Sequence, residues 1–369
     1  MLIHSLKPVN FRNLASLKVE FSAGTNYLYG GNGHGKTNLL EAIYWIILLR
    51  GKRGGRRGSI KRGESFFKLE GELTFGELRH QVELTVEEGS KRLEIDGVVP
   101  KRRREYLQEV LAVDFFPEDL LILLLDPSLR RRFLDLSAVQ YFLPHEEVLG
   151  RYKRLLEVRN SVLKRYPVDL KVLESYDEEF AEAASKITAM RLEILSKLEK
   201  RTAEIFREGI GEKYEAALHY RSTIEVGRYD EGSSLEQLRL ACLEAIKGSR
   251  KRDIEERRTT VGPHLDDWSM SLDGKDVRAF ASRGEVRSAM FALQLARFHV
   301  LAEKRGIEPV VLIDDVMSEL DAERRARVLE LLPEGQMFLT SCDPPPAGWL
   351  KGADLALFVV ENGYVRRVG

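Results

Sequence analysis

The chain has 369 residues, room for two or three domains at roughly 150 residues each, and its 43% hydrophobic and 31% charged content describes a globular protein rather than a fibrous or disordered one. Lys and Arg total 58, as do Asp and Glu, so net charge argues for no particular partner and only the distribution of charge can. Cys242 and Cys342 lie far apart and outside any Cys/His grouping, which suggests neither a disulfide framework nor a zinc site and fits a reducing cytosol.

The N-terminus, MLIHSLKPVNF, lacks the basic and apolar regions of a signal peptide. The longest apolar runs, Ile43 to Leu49 and Leu120 to Leu125, are too short to span a bilayer. The expected location is cytoplasmic, with no membrane partner. Apolar and polar positions alternate through Leu14, Leu17, Val19 and Phe21, and a short strand follows at Tyr27 to Tyr29. Residues 30 to 37 then read Gly-Gly-Asn-Gly-His-Gly-Lys-Thr, which satisfies GxxxxGK[ST] between a strand and a helical run from Asn38 to Leu49. Glycines let the backbone turn its N–H groups around phosphates, Lys36 reaches the β- and γ-oxygens, and the Thr37 hydroxyl suits Mg²⁺ at the positive end of a helix.

Directly after that helix, Arg50 to Arg62 reads RGKRGGRRGSIKR, basic throughout and free of acids. Two readings stand: a flexible solvated loop, or a loop that follows a duplex backbone through Arg53, Arg56, Arg57, Lys61 and Arg62. No aromatics are interleaved, so stacking on single-stranded bases is not indicated. Lys101 to Arg104 and Arg130 to Arg132 are further basic groups, the second equally suited to pairing with acids inside the fold. Alternation at Leu69 to Phe75, Val82 to Val86 and Leu93 to Ile95, with an Asp96-Gly97 turn, predicts an antiparallel β layer.

From Leu136 to about Ile254 the pattern is helical, and no Gly or Pro falls between Val168 and Glu208, which predicts one helix of about 40 residues. Ile187, Met190, Ile194 and Leu198 make an apolar stripe suited to a bundle or to an intermolecular coiled coil. Strand patterns return after Gly262, so the globular part is expected to be discontinuous. Ala281-Ser282-Arg283-Gly284-Glu285 opens a periodic helix; Ser and Gly at a helix start make either an ordinary cap or an anion site. The apolar run Val310 to Ile313 ends in Asp314-Asp315, as a buried strand delivering a metal ligand should, with Asp314 on Mg²⁺ and Asp315 orienting water. Ser318-Glu319-Leu320-Asp321 is a polar turn opening another helix.

In this order the P-loop, the Ser-x-Gly helix start, the strand ending in Asp-Asp and the Ser-Glu-Leu-Asp turn resemble the ABC-type ATPases, including the SMC proteins. The closest resemblance is to the RecF family of bacterial DNA replication and repair proteins. Further matching stretches are Asn10-Phe11-Arg12-Asn13-Leu14, Phe116-Pro117-Glu118-Asp119-Leu120, Arg130-Arg131-Arg132-Phe133-Leu134-Asp135 and Gly262-Pro263-His264-Leu265-Asp266-Asp267.

The resemblance implies an α/β fold: an ABC-type head with a mixed sheet and an antiparallel β layer, formed by residues 1–135 and 255–369, and an inserted helical arm or bundle at 136–254. It implies ATP and Mg²⁺ as cofactors, with nucleotide contacts at Gly30, Gly31, Asn32, Gly33, His34, Gly35, Lys36, Thr37 and Asn38. Arg12 and Asn13 would lie near the adenine or ribose, Glu118 or Asp119 near the metal and the junction of the lobes. Thr37 and Asp314 are the implied metal ligands, and Lys36, Asp314 and Asp315 the catalytic set. Ser282, Arg283, Gly284, Glu285 and Asp321 would touch the ATP held by a second copy, so that ATP forms a homodimer. The family's biology adds gapped or junction-containing duplex DNA, RecR and RecO-type mediators and, indirectly, RecA. The alternatives are an SMC-like structural head or an ABC-type subunit powering another partner.

Departures from the wider ABC pattern are Asp315 in place of Glu, which shortens the reach to water and favours slow hydrolysis, and Glu285 in place of Gln. The usual switch histidine after the next strand is absent, where Met337 to Leu339 runs into Thr340-Ser341-Cys342, leaving Thr340, Ser341 or a distant His264 as substitutes.

Overall fold

The computed structural model describes residues 1–208, 214–224, 234–315, 330–332, 335–345 and 354–368. The chain forms two compact units, one of residues 1–119 and 297–369, the other of residues 120–296. The first is discontinuous, but the breaks fall after Asp119 and Ala296 rather than after residues 135 and 254. Pairing explains the difference: Asp267–Leu272 pairs antiparallel with Ala216–Arg221 along its whole length, and helix Pro127–Tyr141 is tied to it by an Arg130–Asp267 ion pair and a bond from Trp268 Nε1 to the Arg130 carbonyl. Both flanks therefore belong with the helices.

The first unit holds two sheets. A mixed six-stranded sheet runs Tyr364–Arg367, Ala356–Glu361, Thr25–Tyr29, Met337–Ser341, Val310–Asp314 and Ala112–Phe115 in spatial order, every pairing parallel except that of the first two. Its central strands are apolar and buried on both faces, as parallel strands must be. An antiparallel sheet runs Val19–Glu20, Leu2–Val9, Phe66–Phe75, Leu78–Glu87 and Lys91–Ile95. Phe66–Phe75 alternates buried and half-buried positions without a break. Asp96 and Gly97, with φ of 52° and 77°, make the predicted two-residue turn between Ile95 and Val98. Leu14 and Leu17 fall outside any strand.

Helix Lys36–Leu48 touches strands of both sheets and buries nearly every side chain. Gly71, inside strand Phe66–Phe75, permits the close approach: a Cβ there would lie 2.7 Å from Ile46 Cδ1. Phe67 packs edge-on against both Phe11 and Trp45.

The second unit combines helices His145–Leu163, Asp177–Glu208 and Leu235–Gly248 with the three-stranded sheet Lys275–Asp276, Asp267–Leu272 and Ala216–Arg221. A strand thus interrupts what reads as helix in the sequence. The long helix is also shorter than predicted, because Leu170–Ser175 forms a separate turn of helix that ends at Tyr176. At 32 residues the remainder spans about 48 Å. Of its stripe, Ile187 packs within the unit, in a core with Tyr152, Phe180, Leu238, Cys242 and Ile246. No helix among the described residues is long and apolar enough to cross a membrane.

Buried ion pairs fix this unit. Arg159, fully buried, donates to Asp177 Oδ1 at 2.6 Å and to Asp253 Oδ2 at 2.9 Å, and Asp253 Oδ1 accepts from both N and Oγ1 of Thr260. Arg191 grips Asp135 with Nε and NH2 and donates to the Pro263 carbonyl. Removing one partner of such a network leaves uncompensated buried charge, which costs about 3–5 kcal/mol. Arg159→Met is therefore expected to lower stability by about that amount in urea denaturation; an unchanged midpoint would contradict the assignment.

Candidate functional site

The glycine loop leaves strand Thr25–Tyr29 and enters helix Lys36–Leu48. Gly30, Gly33 and Gly35 have φ of 152°, 78° and 114°, which lets the loop turn its N–H groups inward. Gly30 admits no side chain, since a Cβ would sit 2.2 Å from the Val360 carbonyl oxygen. Lys36, almost wholly buried, donates to the carbonyls of Gly30 and Gly31 at 2.6 and 2.9 Å, so its charge lies within the loop. Other contacts brace the loop from outside. Asn13 Nδ2 donates to the Gly33 carbonyl, Asn38 Nδ2 donates to Asn13 Oδ1, and Cys342 Sγ donates to Asn32 Oδ1. The His34 carbonyl accepts from the Gly363 N–H, and its Nδ1 accepts from the Asn362 N–H.

Parallel pairing brings the acid pair to the same edge. Thr37 Oγ1 lies 2.8 Å from both carboxylate oxygens of Asp314, across 277 residues of sequence. Thr340, opposite Asp314 in the next strand, donates to Asp314 Oδ1 at 2.8 Å and accepts from the Asp315 N–H at 3.0 Å. Burial raises the pKa of Asp314, while the Thr340 and Thr37 hydroxyls and the Arg53 guanidinium oppose that rise. Asp315 has a left-handed backbone, φ 48°.

Arg53 departs from the duplex-contact expectation. Its Nε donates to Glu41 Oε1 at 2.9 Å, its Nη1 to Glu118 Oε1 at 2.8 Å, and its Nη2 lies 3.9 Å from Asp314 Oδ2. Arg12 completes the cluster through an ion pair with Glu41 and bonds to Asn38 Oδ1 and the Arg53 carbonyl. Glu41 is buried; burial pushes its pKa up, and Arg12 and Arg53 act against that. The neighbouring Lys52 pairs with Asp114 and Asp119, and Arg297 Nη1 donates to Asp114 Oδ1 at 3.3 Å. Burial lowers the Lys52 pKa, but the two carboxylates outweigh it and hold the ammonium charged. Lys52 and Arg53 of the basic run are therefore engaged with carboxylates of the same unit. Arg56 and Arg57 lie near Glu88 and Arg57 is largely exposed, while Lys61 and Arg62 are exposed.

Glu41, Asp114 and Arg297 belong to no motif in the sequence, and Lys52 is marked only as part of the basic run. A lone acid four residues after Thr37, inside an apolar helix, is the mark by which Glu41 was findable.

In the second unit Ser282 and Glu285 form a reciprocal cap on helix Arg283–Arg305: the Ser282 N–H donates to Glu285 Oε2 at 2.6 Å, and the Glu285 N–H donates to Ser282 Oγ at 3.3 Å. Tyr214 Oη also donates to Glu285, at 2.8 Å, and the hydrogen bonds from Ser282 and Tyr214 pull the carboxyl down to about 2. This cap accounts for glutamate at the position. Ser282 and Arg283 are exposed, and Gly284 and Glu285 are half-exposed. Ser318 to Leu320 and Asp321 lie outside the described residues.

His264 is committed to its own unit, bonded to Tyr152 Oη at 2.6 Å and the Thr259 carbonyl at 3.2 Å, and burial lowers its pKa. The stretch around it is structural throughout. Gly262 faces Tyr152 Oη, where a Cβ would meet it at 2.7 Å; Asp266 accepts from Tyr220 and Thr223, Asp267 from Arg130, and the Asp266 carbonyl from Arg131. The Arg130–Arg132 group, of which Arg130 and Arg131 are thus engaged, reads as internal pairing rather than a DNA surface.

The "RecF/RecN/SMC N terminal domain" family model matches residues 2–345. A DNA replication and repair protein RecF of Lactobacillus delbrueckii subsp. bulgaricus is 35% identical over 352 residues, covering 93% of this chain and 91% of that one. That of Clostridium perfringens is 29% identical, covering 100% and 98%. Among solved structures, the recombination mediator protein RecF-ATP in the RecFOR pathway superposes with a TM-score of 0.91 at 30% identity, covering 100% of this chain and 98% of that one. An SMC head bound to the C-winged helix domain of ScpA has the same fold at a TM-score of 0.52 and 15% identity, with 100% and 98% covered. The architecture is the ABC-type ATPase head with helical additions, and the chain belongs to the RecF family within the RecF/RecN/SMC class.

Proposed function

We propose that this chain is an ATP-switched DNA-binding protein of recombinational repair. The carrying observation is the Thr37–Asp314 contact, which places a hydroxyl and a carboxylate beside a glycine cradle that holds a lysine. Two oxygen donors fit Mg²⁺, which takes few protein ligands and completes its shell with phosphate oxygens and water. When bound, the ion neutralises phosphate charge and fixes the geometry of the phosphoryl group. Thr37 and Asp314 would hold it, residues 30–38 would receive the phosphates with Lys36 at the β- and γ-oxygens, and Arg12 and Asn13 would border the base or ribose. Asp315 would orient the attacking water over the shorter reach of an aspartate, which makes ATP a slow switch rather than a fast fuel.

The Ser282–Glu285 turn supports dimerisation. It opens a 23-residue helix, whose N-terminal end suits a phosphate supplied by a second copy. Asp321 belongs to the same proposed seam. The solved relatives are named as ATP and ATPrS complexes of a recombination mediator in the RecFOR pathway, and the curated relatives as DNA replication and repair proteins. On that basis the partners are RecR and RecO-type mediators, and the family resemblance adds RecA, indirectly, and gapped or junction-containing duplex as the DNA. The duplex contacts narrow to Arg56, Arg57, Lys61 and Arg62, because Arg53 is engaged at the site.

Lys36→Ala removes a charge-assisted contact of about 1.5–3 kcal/mol and should weaken ATP about ten- to a hundredfold by calorimetry; unchanged affinity would count against the cradle. Ser282→Arg should leave ATP affinity intact while the protein stays monomeric in sedimentation with ATP and Mg²⁺. A dimer of normal strength would remove the turn from the seam. Neutralising Arg56, Arg57, Lys61 and Arg62 together should weaken duplex binding regardless of sequence and flatten its salt dependence by about one to three units. An unaltered slope would move the DNA surface elsewhere.

A further inference from the structure

The strand next to Asp314 carries, one residue before its end, a buried hydroxyl with two separate tasks. Thr340 pairs with Asp314 in parallel register, and its side chain is 2% exposed. A hydroxyl offers one proton and two lone pairs. Here the proton goes to Asp314 Oδ1 at 2.8 Å, and a lone pair accepts the Asp315 N–H at 3.0 Å. Thr37 approaches the same Asp314 carboxylate at 2.8 Å, so two threonines from two different elements fix its orientation. The bond to the Asp315 N–H also anchors the one residue of this segment whose backbone is left-handed, at φ 48°.

We infer that Thr340 is the positioning residue of the divalent-cation site, setting the Asp314 carboxylate toward Thr37 and holding the Asp315 backbone in place. Thr340 touches neither nucleotide nor ion in this scheme. It acts through Asp314, as outer residues of metal sites act through the ligands they orient. The inference rests on the nucleotide reading above. A packing role alone would be met equally by valine, which has the same shape and the same preference for a buried strand.

The test uses the full chain and ATP itself, with affinity measured by calorimetry in EDTA and across a Mg²⁺ titration. Thr340→Val should leave the affinity in EDTA within about twofold and raise the Mg²⁺ concentration needed for half-maximal tightening about tenfold, the scale of outer-shell substitutions. Thr340→Ser, which restores the hydroxyl, should return the Mg²⁺ requirement to near wild type. Circular dichroism checks folding; should the valine variant prove unfolded, Thr340→Ala takes its place with the same expectation. A wild-type Mg²⁺ requirement in the folded hydroxyl-less variant would overturn the inference, as would a serine variant that behaves like valine or an equal loss of affinity in EDTA and Mg²⁺. Wild-type protein that binds no ATP under either condition would instead overturn the nucleotide reading beneath it.

Discussion

The contact between Thr37 and Asp314 is the constraint on which the site depends. One side chain begins the helix after the glycine loop, the other ends a strand 277 residues later, and they meet at 2.8 Å. That meeting requires Thr25–Tyr29, Met337–Ser341 and Val310–Asp314 to lie side by side in parallel register. Parallel strands need covered faces, and the apolar helix Lys36–Leu48 touches both this sheet and the antiparallel one. The same burial that stabilises the sheet desolvates Asp314 and raises its pKa, so hydroxyl donors and the nearby Arg53 favour its ionised form. Fold and chemistry share one set of residues here.

A second theme is the internal use of charge. Lys52, Arg53 and Arg12 look like surface cations in sequence, yet each meets buried or half-buried carboxylates around the loop. In the helical unit Arg130, Arg159 and Arg191 do likewise. Such pairs add little net stability but are costly to break, and they fix which elements meet. The Gly-Pro-His-Leu-Asp-Asp stretch owes its composition to this architecture, since its glycine, proline carbonyl, histidine and both aspartates each meet a named partner in the same unit.

The site was legible in sequence where backbone conformation or burial dictates residue type. Glycines at positive φ marked the loop, and an apolar run ending in Asp-Asp marked the strand that faces it. What sequence did not disclose were pairings set by distant chain. Nothing local in Arg50 to Arg62 tells Arg53, held by Glu41 and Glu118, from exposed Arg62. The domain boundaries shifted for the same reason: Ala216–Arg221 pairs with Asp267–Leu272 and draws the later strand to the helical unit. The break at Tyr176 likewise lacks Gly or Pro, and it precedes Asp177, whose carboxylate is held by Arg159 and Arg250. Of the residues weighed for the absent switch histidine, Thr340 bonds to Asp314, whereas His264 is bonded within its own unit.

The central claim is that the cradle of residues 30–38 and the Thr37–Asp314 pair together hold ATP and Mg²⁺. A crystal structure grown with a non-hydrolysable ATP analogue and Mg²⁺ tests it most directly. Phosphates are expected within the glycine loop against Lys36, with an ion about 2.1 Å from Thr37 Oγ1 and Asp314 bound to it directly or through one water. Phosphates bound elsewhere, or an ion coordinated away from both Thr37 and Asp314, would contradict it.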